Sequence, residues 1–275
     1  MITNKKIAFI GAGNMASSLI GGMITDGYPA ELIYAANPTR TRLDVLAEKF
    51  SINTTQDNNH AVASADIIFL AVKPQLMAEV CSQLAEHSAN YRGKLFVSVA
   101  AGVTVERLQS LLADNQPIVR TMPNTPALVQ KGMTGLFPSP EVSDDEIKTI
   151  DKIMTAVGKT CWVEDESDLN TITAATGSSP AYFFLFMEAM QESIIRMGFT
   201  QQQARELVQQ AALGSAELVQ QNPHIDLATL RQNVTSKGGT TAEAIRTFEE
   251  HNLRDTVDTA MQAAVTRAEQ MSKLF

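Results

Sequence analysis

The sequence predicts an α/β protein with two domains: an N-terminal domain built on a mostly parallel β-sheet, and an all-helical C-terminal domain. In the first part, apolar runs typical of β-strands alternate with helix-sized stretches, as βαβ units require. These runs are Ile7–Ile10, Leu32–Ala36, Ile67–Val72, Leu95–Val99 and Ile118–Thr121. After an acidic stretch at residues 164–168 the strand pattern stops. We therefore expect a sheet domain at residues 1–164 and a helical domain at residues 165–275.

Composition narrows the class of protein. The chain has 275 residues, 44% of them hydrophobic, which is enough for substantial cores. No run approaches the roughly 18 apolar residues of a membrane span, so we expect a cytoplasmic protein with no membrane partner. The net charge of −8 argues against a nucleic-acid partner. Cys81, Cys161 and the histidines lack ligand spacing, so we expect reduced thiols and no metal.

The first strand leads into a glycine turn. Ile7–Ile10 runs into Gly11 and Gly13, and a stretch with helical periodicity follows. This order is typical of the first unit of a dinucleotide-binding, Rossmann-type domain, in which one glycine allows a tight turn and another admits a pyrophosphate. Free amides at the helix start receive its negative charge. Ala16 occupies the third glycine position, which the pattern tolerates, and a purely structural turn is the alternative.

Two further strand ends belong to the same expected edge of the sheet. Residues 67–72 do not alternate with polar residues, which indicates a strand covered on both faces. This strand ends at Lys73-Pro74, and the next ends at Ala100-Ala101-Gly102. Open α/β sheets bind ligands at the carboxyl ends of their strands, so we expect cofactor contacts there.

The end of the second strand bears on cofactor choice. Enzymes that prefer NAD usually place Asp or Glu there to bind the ribose 2′-hydroxyl. Here Asn37, Thr39 and Arg40 follow the strand, and a guanidinium binds phosphate well. We therefore expect NADPH, with NADH still possible. The alternative is that Arg40 is only a solvated charge at a helix start.

The remaining pattern is mainly helical. Ser143 to Glu146 is a capping box that opens a helix to about residue 157, and Thr160–Val163 resembles a last strand. Helices are predicted at about 180–197, 201–221, 227–234, 241–250 and 253–273, and Thr200 to Gln203 is expected to cap the second of them. The helix at 180–197 is apolar around most of its circumference, so we expect burial on nearly all sides. The last helix has an apolar stripe, which packs either within its own chain or at an interface between subunits: Val257, Met261, Ala264, Val265 and Ala268.

Two helix starts in the second half combine glycines with hydroxyl groups. In Thr176–Pro180 we expect Ser179 to cap the helix, and in Thr235–Glu243 we expect a capping box from Thr240 to Glu243. Free amides, glycines and hydroxyl donors can hold a small anion. Together, these two helix starts predict a site for a small carboxylate substrate. The alternative is that each is only a well-capped helix without a ligand.

At these residues the chain resembles a known family, pyrroline-5-carboxylate reductase. The resemblance runs from about residue 5 to 273 and is carried by Gly11–Met15, Ala71–Pro74, Ala100–Thr104, Met122–Pro126, Gly177–Tyr182 and Gly238–Thr241. It implies reduction of 1-pyrroline-5-carboxylate, a cyclic imino carboxylate, to L-proline with NAD(P)H, the last step of proline biosynthesis. It also implies a Rossmann domain and a helical domain that forms an intertwined homodimer, with a higher assembly of dimers possible.

The resemblance, together with the strand ends, assigns the site residues. The cofactor would contact Gly11, Ala12, Gly13, Asn14, Met15, Asn37, Thr39, Arg40, Ala71, Val72, Lys73, Pro74, Ala100, Ala101 and Asn233. The substrate would contact Ser178, Ser179, Ser236, Gly238, Gly239 and Thr240. Thr241, near the ring nitrogen, would be the catalytic residue. The chain departs from the family at three positions: Lys237 stands where proline is common, Thr176 where serine is usual, and Ala16 where glycine is common. Lys237 changes the stiffness and the charge of the loop expected to bind the carboxylate, so substrate affinity is the property that it puts in doubt.

Two other functions stay open at this point. A β-hydroxyacid-dehydrogenase-like NAD(P) enzyme has a similar domain order but would need a lysine base on the first helix of the second domain, and residues 180–197 contain none. A non-catalytic nucleotide-sensing protein would not need the hydroxyl-rich loops. Hydride transfer from a cofactor asks mainly for orientation and a proton donor, which suits a chain without a catalytic triad.

Overall fold

The computed structural model describes residues 5–112 and 115–274, with only the backbone at Asn90. The strands are β1 (Ile7–Ile10), β2 (Ile33–Ala36), β3 (Asn53–Thr55), β4 (Ile67–Leu70), β5 (Leu95–Ser98), β6 (Ile118–Met122), β7 (Gly132–Pro138) and β8 (Gly158–Trp162). The helices are α1 (Asn14–Thr25), α2 (Arg40–Phe50), α3 (Asn58–Ala63), α4 (Pro74–Ala85), α5 (Val105–Leu112), α6 (Asp144–Thr155), α7 (Asp168–Ile172), α8 (Ser179–Arg196), α9 (Gln201–Gln221), α10 (Leu227–Asn233), α11 (Thr240–Glu250) and α12 (Leu253–Ser272).

The strands of the described chain form one sheet in the order β3-β2-β1-β4-β5-β6-β7-β8. All neighbouring pairs are parallel except β6 and β7, so the prediction of a mostly parallel sheet is confirmed. Two strands are not predicted from the sequence: β3, which is short and polar, and β7, which contains two glycines and ends in proline. Neither has the apolar run that marks a buried strand.

Both faces of the central strands are covered. In β1, Ile7 and Phe9 belong to one buried cluster, while Ala8 and Ile10 belong to the cluster on the other face. Phe9 stacks on the ring of Phe69 in the neighbouring strand, with 4.7 Å between ring centroids. Burial of each large apolar side chain contributes about 1.5–3 kcal/mol. These side chains hold the strand ends, and therefore the loops that follow them, in fixed positions.

Contacts group the chain into two units: a sheet unit of Met1–Ser178 with Ala264–Phe275, and a helical unit of Ser179–Ala263. The predicted domain boundary after residue 164 stays a prediction. The helices predicted for the C-terminal part are present, with ends that differ by at most one residue. The apolar stripe of α12 divides between the units: Val257 is exposed, whereas Ala268 is buried within the sheet unit. No helix of the described chain is long and apolar enough to cross a membrane.

The expectation that the helix at 180–197 is buried on nearly all sides is wrong for the single chain. In α8, Phe183, Phe184 and Leu185 are 67%, 62% and 66% exposed. Within the helical unit α8 packs against α9, which covers only one side of it. A helix that is apolar around its circumference needs further surfaces, which this chain alone does not supply.

Two predicted helix caps are also wrong, while two others are confirmed. The N-cap of α11 is Gly239, without a side-chain cap, because α11 already begins at Thr240. Ser179 is not a cap either, because helical backbone precedes α8 without a break into extended structure. The capping boxes at Ser143 and Thr200 are present.

Candidate active site

The carboxyl ends of β1, β2, β4 and β5 form one edge of the sheet. The chain moves from β1 to β2 in one direction, and β4 lies on the other side of β1. Such a reversal of strand order opens a crevice between the loops that follow the strands, and ligands of open α/β sheets bind there. The predicted cofactor residues of the sheet unit lie in these loops and at the helix starts after them.

Gly11 makes the close approach at this crevice possible. Its φ of +106° favours glycine, and a Cβ atom there would lie 2.5 Å from the carbonyl oxygen of Ala71. The Gly11 N–H donates to the carbonyl of Ala36 at 2.8 Å, and the Ala71 N–H donates to the carbonyl of Ile10 at 2.8 Å. The ends of three strands are therefore held together around a residue that cannot carry a side chain.

The N-terminus of α1 is open to an anion. Its N-cap is Gly13, which provides no side-chain cap, and its first turn contains no acidic residue. A Cβ atom on Gly13 would meet nothing within 4 Å. The backbone N–H groups of Asn14, Met15 and Ala16 have no acceptor within the described chain, as expected for a first helical turn. Donors aligned with the helix dipole fit the pyrophosphate of a dinucleotide.

The loop after β2 is fixed to the glycine turn. The Oδ1 atom of Asn37 accepts the Ala12 N–H at 3.4 Å, and its Nδ2 atom donates to the Thr39 carbonyl at 3.1 Å. Arg40, the first residue of α2, pairs with Asp44 at 3.2 Å. Sequence analysis missed Asp44, although its i,i+4 spacing could have indicated the pair. Both side chains are mostly exposed, so the pair is weak and Arg40 can exchange it for a phosphate.

The loops after β4 and β5 complete this edge. Lys73 is the N-cap of α4 and Pro74 is its first residue, while Ala71 and Val72 are half-buried above the end of β4. After β5, Ala100 is buried and Ala101 is half-buried.

The loop after β5 is held from two sides. Gly102, with φ +79°, leaves no room for a side chain, because a Cβ atom would lie 3.0 Å from Cβ of Met271. The Val105 N–H, at the start of α5, donates to the Glu166 carboxylate at 2.9 Å. Arg120, which is buried in β6, donates to the same Oε1 atom at 2.7 Å. In the sequence Glu166 stands out only as part of an acidic stretch, and this role is visible only in the structure.

In the helical unit, a tight turn leads into α11. The Gly239 N–H donates to the Ser236 carbonyl at 3.0 Å, and Gly238 has φ +72°. Because Lys237 is not among the residues with positive φ, the turn is type II, in which the third position needs glycine. Asn233 is the exposed last residue of α10, just before this turn.

Thr240 and Thr241 are the first two residues of α11, and both are exposed. The N–H groups of residues 240–242 and the Thr241 hydroxyl find no partner among residues 5–112 and 115–274. The acidic residue of this turn, Glu243, is drawn toward Arg246, whose hydrogen bonds hold the pKa of the Glu243 carboxyl below its usual range. The helix start is therefore available to a small carboxylate.

Ser178 and Ser179 follow a wider helical turn. Thr173–Gly177 forms a π-turn between α7 and α8, and the Ser178 N–H donates to the Thr173 carbonyl at 2.8 Å. The Thr176 hydroxyl donates to the carbonyl of Ile172 at 3.0 Å, so it is less available to a ligand than the sequence indicates. The Ser178 hydroxyl has no partner in the described chain. No residue pattern in the sequence predicts this π-turn.

The described residues contain no group of three or more His, Cys, Asp or Glu side chains that could hold a metal. The candidate residues in each unit are backbone amides, hydroxyls and glycines.

Comparison with known proteins identifies relatives over nearly the whole chain. Residues 166–271 match the family described as pyrroline-5-carboxylate reductase dimerisation, and residues 6–102 match the family described as NADP oxidoreductase, coenzyme F420-dependent. A pyrroline-5-carboxylate reductase from Vibrio alginolyticus is 53% identical over 272 residues, covering 99% of each sequence. One from Escherichia coli (strain K12) is 38% identical over 271 residues, covering 98% of this chain and 99% of the relative.

Solved structures similar to this chain come from the same family as these relatives. A pyrroline-5-carboxylate reductase from Coxiella burnetii has a TM-score of 0.92 and 40% identity, covering 98% of this chain and 99% of the other. Plasmodium falciparum pyrroline carboxylate reductase, a crystal structure with NADP bound, has a TM-score of 0.86 and 27% identity, covering 99% of this chain and all of the other. With such identity over its full length, the chain belongs to the pyrroline-5-carboxylate reductase family.

Proposed function

We propose that this protein reduces 1-pyrroline-5-carboxylate to L-proline with NADPH, the last step of proline biosynthesis. The observation that carries the proposal is the 53% identity, over 99% of the chain, to a protein named for this reaction. The geometry supports it, because the site offers a dinucleotide cradle and a second anion-binding helix start but no metal cluster within the described residues.

NADPH fits the sheet unit at three places. The open N-terminus of α1 suits the pyrophosphate, and the loop of Asn37 to Arg40 suits the 2′-phosphate. The loops after β4 and β5 remain for the nicotinamide half. A relative of known structure is described with NADP bound, which favours the same choice here, with NADH as a weaker second cofactor.

In this proposal the substrate contacts come from the helical unit, except that of Ser178, the last residue of the first segment of the sheet unit. The turn of Ser236, Gly238 and Gly239 and the amides at the start of α11 would bind the substrate carboxylate, with hydroxyls from Ser178, Ser179 and Thr240 around it. Glycine at the turn and an uncapped helix start leave the amides accessible. Hydrogen bonds to a carboxylate are stronger than those between neutral groups.

Thr241 orients the ring nitrogen. When bound, NADPH supplies the hydride that adds to the imine carbon, and the nitrogen takes up one proton. An alcohol hydroxyl is too weak an acid to be a free proton source, so Thr241 holds the nitrogen in place directly or through a water. Its hydroxyl, unbonded in the described chain, is available for that contact.

The protein works as a homo-oligomer. The exposed apolar side chains of α8 and the match to a dimerisation family both favour a second copy of the chain as the surface that covers this helix. We further propose that the dimer encloses the helical units of both copies, that dimers assemble into a larger particle, and that the protein acts in the cytoplasm.

The decisive experiment follows the absorbance of NADPH after 1-pyrroline-5-carboxylate is added and identifies the product by mass spectrometry. Loss of absorbance with formation of L-proline is the result that supports the proposal. We expect turnover with this imine and weaker turnover with cyclic imines that lack the carboxylate. NADPH binding without turnover would favour a nucleotide sensor. Oxidation of a β-hydroxy acid with NADP⁺ would favour the dehydrogenase.

A further inference from the structure

The π-turn at Thr173–Gly177 is held from outside its own helix. In a π-turn the backbone hydrogen bonds span five residues, as between the Ser178 N–H and the Thr173 carbonyl. The wider turn takes neighbouring carbonyls out of the regular α-helical ladder, and a half-buried carbonyl needs another donor. Single π-turns are uncommon and occur frequently at functional sites.

Asn124 supplies that donor. Its Nδ2 atom donates to the Thr176 carbonyl at 2.9 Å, and its Oδ1 atom accepts the Met133 N–H at 2.9 Å. The side chain is buried, with 8% of the residue exposed. Since both ends of the amide are used, Asn124 links the π-turn to the second residue of β7.

Packing against Met122 reinforces the same position. Gly177 lies so close to the end of β6 that a Cβ atom there would be 2.8 Å from Cε of Met122. The hydroxyls of Thr173 and Thr176 donate to carbonyls of the preceding turn, at 2.7 and 3.0 Å. Ser178 directly follows this fixed turn, and its hydroxyl has no hydrogen-bond partner in the described chain.

We propose that Asn124 is a positioning residue for the reductase reaction: its amide holds the π-turn in the shape that presents Ser178 to the imine substrate. This inference rests on the proposed function, which places Ser178 at the substrate. If Asn124 were only structural, its replacement would change stability and leave kcat/KM for the imine unchanged.

Asn124→Asp provides a pH-dependent test. An ionised carboxylate has no donor and would face the Thr176 carbonyl, whereas a protonated carboxyl offers one O–H and one C=O in place of the amide groups. Burial raises the pKa of a carboxyl at such a position. Relative to the wild type at each pH, we expect kcat/KM to fall about five- to 150-fold at alkaline pH and to recover as the pH falls through the new pKa.

Two variants are matched controls. Asn124→Ala lacks the donor at every pH, so its relative kcat/KM should be low and independent of pH. Asn53→Asp makes the same chemical change in β3, where the Asn53 amide donates to the carbonyls of Glu31 and Ile33. The kcat/KM of this variant relative to the wild type should stay close to one at every pH. A pH-independent ratio for Asn124→Asp, or wild-type kinetics for Asn124→Ala, would overturn the proposal.

Amide hydrogen exchange at Ser178 gives a readout that does not depend on activity. We expect faster exchange of this N–H in Asn124→Ala than in the wild type, with NADPH affinity close to wild type. If the wild type does not reduce the imine, the proposed function fails, while exchange still decides whether Asn124 holds the turn. If the wild type is active but exchange is unchanged in the variant, the positioning role fails.

Discussion

Thr241 is the residue on which the proposed chemistry depends most. It is exposed at the second position of α11, and its hydroxyl is not bonded within the described chain. We expect Thr241→Ala to lower kcat/KM by the roughly 1–3 kcal/mol of an unmade polar contact, about five- to 150-fold. Folding and NADPH binding should change little, because the hydroxyl supports nothing within its own unit. Steady-state kinetics and NADPH titration measure both effects.

Thr247→Ala is the matched control for that variant. Thr247 lies in the same helix and is exposed, but its hydroxyl donates to the Glu243 carbonyl at 3.0 Å. This variant should keep wild-type kinetics. Unchanged kinetics in Thr241→Ala would remove Thr241 from the mechanism, and loss of NADPH binding would assign it to the cofactor instead.

Arg40 carries our prediction about the preference for NADPH over NADH. The wild type should use NADPH with a higher kcat/KM than NADH, because no carboxylate in the loop after β2 repels a 2′-phosphate. Arg40→Asp should reverse or erase that preference. Asp44→Asn is the control: it removes the exposed partner of Arg40 and should preserve the preference. A wild-type preference for NADH would show that Arg40 does not bind the phosphate.

The two cysteines should react differently. Cys81 is buried, and burial raises the pKa of its thiol to about 12, whereas Cys161 is exposed. Since the thiolate is the reactive form, the native protein at pH 8 should take up one equivalent of iodoacetamide, and the unfolded protein two. Intact-mass spectrometry counts the adducts. Cys161→Ser should take up none while folded; labelling of Cys81 in that variant would contradict the burial.

At the scale of elements, the turn before α11 carries a prediction about stability. Lys237 occupies the second position of a type II turn, where proline is favoured, and its N–H has no partner in the described chain. Lys237→Pro should therefore raise the free energy of unfolding by about 0.4–1 kcal/mol, because it restricts the unfolded chain. Thermal unfolding measures the change.

Gly238→Ala is the opposite test of the same turn. A side chain at φ +72° is strained, so this variant should lower the free energy of unfolding by roughly 1–2 kcal/mol. Lys237→Gln removes the charge and leaves the backbone flexible, whereas Lys237→Pro changes both. Comparison of their KM values for the substrate therefore separates the effect of charge from that of backbone stiffness. A lower unfolding temperature for Lys237→Pro would mean that the turn is not type II.

For the whole molecule, the exposed apolar surface predicts self-association. Phe183, Phe184 and Leu185, on different sides of α8, expose more apolar surface than a protein that stays monomeric in water usually does. The protein should be at least a dimer by light scattering at assay concentrations. Phe184→Glu should weaken the dimer and lower activity with it, whereas Val45→Glu, the same kind of change on the exposed side of α2, should not. A wild-type monomer would overturn the prediction.

Much of the sheet unit was predictable because its signals are local. Ile67–Leu70 is apolar without a break, and such a run of this length is stable only when covered on both faces. Gly11 and Gly13 follow directly on a strand, so the turn and the helix start after it could be placed from the chain itself. The other predicted strands and the C-terminal helices could likewise be placed from neighbouring residues along the chain.

Other features exist only because distant segments meet. β7 becomes a strand by pairing with β6 and β8, and its own glycine-containing sequence does not favour one. Glu166 acquires a role because Arg120 and Val105 lie beside it. The sequence determined the strand ends, the glycine turns and most helices, since each depends on neighbours along the chain. Tertiary structure decided the order of the last strands and the π-turn held by Asn124, because hydrogen-bond partners far apart in sequence settle both of them.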